Sequence, residues 1–106
     1  MGARSAVPGL GPLEAAIMTV LWNAARPLTP QEVRDRADHH EVAYTTVAKV
    51  MVILVGKGLA SRDQRGRAYV YEAAISRDQH LAGIVRAALA AAADPGRVLA
   101  LASSAA

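Results

Sequence analysis

Residues 43–71 read AYTTVAKVMVILVGKGLASRDQRGRAYVY, and the hydrophobic period changes midway along this stretch. Ala43, Val47, Val50, Met51 and Leu54 project onto one arc of a helical wheel, while Thr45, Lys49, Val52, Ile53 and Gly56 fall on the other. That spacing predicts a helix with Tyr44 or Thr45 near its N-terminus and Gly58 as its stop. After Leu59 the period drops to two. Ala60-Ser61-Arg62 and Ala68-Tyr69-Val70-Tyr71-Glu72 flank Asp63-Gln64-Arg65-Gly66-Arg67, which predicts a two-stranded hairpin with a charged tip.

Working outward, Gly11-Pro12 suits the start of a helix, because Pro at the first helical position loses nothing by lacking an N–H. Leu13, Ile17, Val20, Leu21 and Ala24 then give a first helix over about Pro12 to Ala25, ended by Arg26-Pro27. Thr29-Pro30-Gln31-Glu32 is a capping-box signature that opens a second helix, running to Ala37 or His39. Downstream, Ser76-Arg77-Asp78-Gln79 caps a fourth helix to about Ala93, and Asp94-Pro95-Gly96 breaks it before Val98, Leu99 and Leu101. The order helix, turn, helix, arginine-tipped hairpin is that of a winged helix-turn-helix domain. The expected fold is mainly α with a small β-hairpin: a flexible N-terminal arm over 1–9, a winged helix-turn-helix domain over 10–75, and a short helical dimerisation segment over 76–106.

At 106 residues the chain has the size of one domain, and with no Cys it has neither disulfides nor thiolate metal sites. The first residues lack the apolar core of a signal peptide, and the run Val50 to Val55 is far too short to span a bilayer, so a cytoplasmic protein without membrane contact is expected. The net charge of +3 is modest, but its position is informative. Lys49, Lys57, Arg62, Arg65 and Arg67 face only Asp63 between residues 44 and 67, whereas the rest of the chain carries no positive excess. A surface that neutralises phosphates concentrates charge in this way.

Tyr44, Thr45, Thr46 and Lys49 would stand at the front of the third helix, where N–H groups, short hydroxyls and Lys can reach phosphates or base edges. The bland alternative is a Thr cap beside a solvated Lys. Tyr44 falls toward the core side of the wheel. Ile53 could touch a thymine methyl, but packing of Val52 and Ile53 under the hairpin or against a partner helix is the expectation. Arg62, Arg65 and Arg67 could follow a phosphate backbone or enter a minor groove, or simply form an exposed, solubilising loop; DNA contact is the expectation for Arg65 and Arg67, while Arg62 is equally able to pair with Asp63. Trp22, Tyr69 and Tyr71 read as packing groups. Leu81, Ile84, Val85, Ala88, Leu89 and Ala92 form a stripe that a small domain can hardly cover, which suits a dimer seam better than self-packing. Asp38, His39, His40 and Glu41 lack a second ligand cluster besides the lone His80, so no metal is expected. No nucleophile, base and orienter stand at informative spacing, so no catalysis and no cofactor are expected either.

Leu13-Glu14, Ile17-Met18, Leu21-Trp22, Thr29, Glu32-Val33, Ala43-Tyr44-Thr45-Thr46-Val47, Leu54, Lys57-Gly58-Leu59, Gly66-Arg67 and Tyr71 occur in unbroken order. In this succession the chain resembles the penicillinase-repressor (BlaI/MecI) family of bacterial transcriptional regulators over about residues 10–101. The resemblance implies a repressor that binds double-stranded DNA at a palindromic operator as a homodimer, with the third helix in the major groove and helices after the hairpin as the dimer interface. Positions 49 and 53, commonly Thr and Arg in the family, are Lys49 and Ile53 here, so the operator sequence does not carry over. Family members that control β-lactamase genes are released by proteolysis, at an Asn-Phe bond in the best-known cases; residues 98–102 contain no such bond. A rival of another class is a winged-helix protein-interaction module without DNA contact.

Overall fold

Pro12 opens α1 (Pro12–Asn23), and the Glu14 carboxylate accepts a hydrogen bond from the Gly11 N–H at 3.1 Å, satisfying one donor at the helix start. The structure is a computed structural model that describes residues 6–37 and 41–104. The beginning of the expected arm (1–5) and the Asp38, His39 and His40 considered as ligands lie outside the described residues. Helix α1 ends two residues before Ala25, since Ala24 is already extended and leads the chain toward Leu28. Helix α2 (Pro30–Arg36) starts at the expected capping box. The Thr29 hydroxyl accepts from the Glu32 N–H at 3.2 Å, and Glu32 accepts from the Thr29 N–H at 2.9 Å.

Helix α3 (Tyr44–Gly56) closes with a Schellman motif. The Leu59 N–H donates to the Leu54 carbonyl and the Gly58 N–H to the Val55 carbonyl, both at 3.0 Å, with Gly58 at φ 79°. Leu54 and Leu59 meet inside the core, so the stop is secured by packing as well as by glycine. Strands β1 (Ala60–Arg65) and β2 (Ala68–Ala73) pair antiparallel, with Arg65 opposite Ala68. Only Gly66 and Arg67 remain in the loop, and positive φ at Gly66 alone is the mark of a type II′ turn. Because so short a loop pairs the residues beside it, β1 continues through Asp63, Gln64 and Arg65, three residues beyond the stretch expected from alternation. Leu28 adds a bridge to Tyr71, with N–H to O distances of 2.9 and 2.7 Å.

The core lies between α1, α2, α3 and the base of the hairpin: Ile17, Met18, Leu21, Leu28, Val33, Val47, Met51, Leu54, Leu59 and Tyr71 form one buried cluster. Among the described residues the architecture is five helices and one two-stranded hairpin in winged helix-turn-helix order. Helix α4 (Arg77–Ala91) is capped by the Ser76 hydroxyl on the Gln79 N–H at 3.0 Å. Helix α5 (Pro95–Ser104) is capped by Asp94, which accepts from the Arg97 N–H at 3.1 Å. Neither contains a buried residue. The joint to α4 is held by Trp22, whose indole N–H donates to the Ile75 carbonyl at 3.0 Å, with the Arg77 guanidinium 5.1 Å from the ring centre. Residues 7–10 turn back over α4, where the Pro8 carbonyl meets His80 Nε2 at 2.8 Å. The result is elongated, 51 × 29 × 22 Å.

Candidate nucleic-acid interface

Helix α3 is divided lengthwise. Val47, Met51 and Leu54 are buried, and Tyr44, Thr45, Thr46, Lys49, Val52, Ile53 and Gly56 are exposed. No acidic residue occurs anywhere in α3, so the outward face presents hydroxyls, one ammonium group and two apolar side chains. The wheel assignment of Tyr44 to the core side needs correction: its side chain is 44% exposed and borders the hairpin instead. As the first helical residue it precedes the turn that packs, so the periodicity of the later residues does not bind it.

Between α3 and the hairpin runs a cleft of about 400 Å³, lined on one side by Tyr44, Ala48 and Val52 and on the other by Arg62, Arg67, Tyr69 and Tyr71. The start of α2 closes one end with Thr29, Pro30 and Gln31. Strand alternation sorts the arginines. Arg62 stands opposite Tyr71 and lies 4.2 Å over the Tyr69 ring, a cation–π contact across the hairpin diagonal. Its pKa is raised, chiefly by its side-chain interaction with Tyr71. Arg65 sits on the other face of the ribbon with Asp63, 3.9 Å away, and both are well exposed. Arg67, in the turn, reaches the cleft. The pairing of Arg62 with Asp63 that the sequence allowed is therefore replaced by an aromatic platform. The two-residue turn at Gly66 is the signal that would have set this register and placed Arg62 opposite Tyr71.

Lys57 does not join this surface. Its ammonium pairs with Glu14 at 2.7 Å, tying the end of α3 to the start of α1 and lowering the Glu14 pKa, chiefly through that hydrogen bond. Arg26 is likewise bound to Glu32 at 2.7 Å, which holds the Glu32 carboxyl down to about 2. Among the described residues of the α3–hairpin face, the cations without a short ion pair are Lys49, Arg62 and Arg67, while Arg65 stands 3.9 Å from Asp63. Among the described residues, no three metal-ligating side chains cluster and no helix is long and apolar enough to cross a membrane.

The penicillinase-repressor family matches residues 10–105. The chain belongs to that family. Two relatives, both called transcriptional regulator BlaI and coming from Mycobacterium tuberculosis strains CDC 1551 / Oshkosh and ATCC 25618 / H37Rv, are each 38% identical over 88 residues. Those residues are 82% of this chain and 64% of each relative, so the chain spans just under two thirds of the relatives it matches.

In this penicillinase-repressor-family chain the stripe along α4 is only partly open. Leu81, Ile84, Leu89 and Ala92 are half-buried, while Val85 and Ala88 are exposed. Ile84 is covered by the chain itself, since a Cβ added at Gly9 would stand 2.9 Å from Ile84 Cδ1. Val98, Leu99 and Leu101 on α5 are all exposed. Among the described residues, large exposed apolar side chains thus fall into two groups, one on the α3–hairpin face and one on α4 and α5.

Proposed function

We propose that this protein is a sequence-specific, DNA-binding transcriptional repressor, working in the cytoplasm as a homodimer on a palindromic operator, without enzymatic activity. The observation that carries the reading is the lengthwise division of α3. One side holds the core, and the other offers Thr45, Thr46 and Lys49 beside a hairpin bearing Arg62, Arg65 and Arg67, with no acid on the helix. A helix set in this way enters a major groove with its outer face toward base edges, while the hairpin cations follow the phosphates. Dimerisation brings two such helices to successive grooves, and the seam is supplied by the half-buried stripe of α4 together with Val85, Val98, Leu99 and Leu101, which are exposed in the single chain. Repression follows from occupying a promoter.

A salt titration tests this. With about three phosphate contacts per protomer, the logarithm of the binding constant should fall with the logarithm of salt concentration at a slope of about −5. A flat response, or no binding at low salt, would remove the DNA reading in favour of a protein-docking module.

A further inference from the structure

Packing under the hairpin, one of the two coverings expected for Val52 and Ile53, buries neither: each is 46% exposed in the second half of α3 in the single chain. Val52 leans toward the hairpin as part of the cleft wall, whereas Ile53 does not line it. Ile53 lies four residues beyond Lys49 and eight beyond Thr45, so the three side chains follow one strip of the helix surface. At 1.5 Å per residue, Thr45 to Ile53 spans about 12 Å, comparable to the width of a major groove. The strip ends at Gly56, where an added Cβ would meet nothing within 4 Å, so internal packing does not require a glycine there. An exposed β-branched pair on an acid-free helix, flanked by Lys49 on one side and Arg62 and Arg67 on the other, is complementary to a surface that is negative at its rims and carries apolar spots within. In duplex DNA the major-groove apolar spot is the C5-methyl group of thymine.

Resting on the DNA reading above, we infer that Ile53, with Val52 beside it, is a specificity-determining contact that packs against thymine methyl groups. Each half-site then carries a thymine where these side chains land. A carbon–carbon contact of this kind distinguishes thymine from cytosine and guanine without a hydrogen bond. It also accounts for an outer helix face less hydrophilic than a merely solvated one.

The test uses the full chain and duplexes selected by it from a random-sequence pool. Each thymine of the selected half-site is replaced singly by deoxyuridine, which removes the methyl and leaves every hydrogen-bonding group, and affinity is read by fluorescence anisotropy. Loss of one methyl contact should weaken binding about fourfold at one or two positions, the worth of one buried carbon. In Ile53→Ala, whose melting temperature should match the parent because the side chain is exposed, deoxyuridine at the same position should cost little further. If the duplex binds yet no thymine is sensitive, or if the sensitivity survives in both Ile53→Ala and Val52→Ala, the inference is overturned while the DNA reading stands. If Ile53→Ala alters the oligomeric state instead, the pair covers protein, and the inference is again overturned. If the pool yields no bound duplex at low salt, the DNA reading itself falls and takes the inference with it.

Discussion

Helices α3 and α4 are of similar length but are stabilised by different means. Seven of the thirteen residues in α3 are β-branched, a composition that opposes helix formation locally, yet three of its side chains are fully inside the core. Five of the fifteen residues in α4 are Ala, and a complete capping box stands at its start, yet no residue in it is buried. The first helix exists because the domain packs on it, and the second because its own chain favours it. A helix held by packing presents side chains at defined positions, as a reader of DNA must. A helix favoured by its own composition and cap, whose apolar stripe is only partly covered, suits a seam completed by a second chain.

The contrast breaks most sharply under truncation. Leu54→Ala should cost the winged half 2–5 kcal/mol, roughly the cost of a core cavity, whereas Leu99→Ala should leave the unfolding of the isolated chain within about 0.5 kcal/mol of the parent. Denaturant titration compares them, and equal losses would show α5 packed where none of its residues is buried. Leu89→Glu tests the seam. It should turn dimer into monomer in a sizing column with the winged half still folded by circular dichroism, since a carboxylate in an apolar seam lacks a partner. Lys49→Ala sharpens the other side: DNA affinity should fall several-fold with the melting temperature unchanged, about the worth of one exposed charge at a phosphate or base. Gly56→Ala should raise stability by about 0.5–1 kcal/mol, because helix propensity improves and the space is open.

The smallest expected effect is a pH dependence. Glu32 has its pKa lowered to about 2, mainly by the hydrogen bond from Arg26 and then by the Thr29 N–H. Its contribution to stability is present above the ordinary carboxylate range and is lost as pH falls toward 2. Glu32→Gln should therefore flatten the acid side of the melting-temperature profile, and only slightly, since the pair is solvent-exposed.

Much of this was legible in the chain itself. Thr29 with Glu32, Ser76 with Gln79, Gly58 after the apolar run and Gly66 at the hairpin are short-range devices in which each residue meets partners a few positions away, so they can be recognised without knowing the fold. The change from period 3.6 to period 2 after Leu59 is local in the same sense, and membership of the penicillinase-repressor family agrees with it. Boundaries were less legible. Strand β1 gained Asp63 to Arg65 because a two-residue turn brings a partner strand beside them, which alternation along one strand does not reveal.

Tertiary structure alone decided what the charged and apolar groups of the site face. Lys57 counts as a free cation until α1 brings Glu14 within 2.7 Å of it, and Arg62 reads as a partner for Asp63 until β2 lays Tyr69 beneath it. Tyr44 falls toward the core side of the wheel, and the hairpin is one cover open to Val52 and Ile53, until the assembled chain is seen to leave all three exposed. Helical periodicity says how a side chain is oriented about its own axis, and that is a property of the sequence. Whether another element stands in that direction depends on chain tens of residues away, and only the assembled fold answers it.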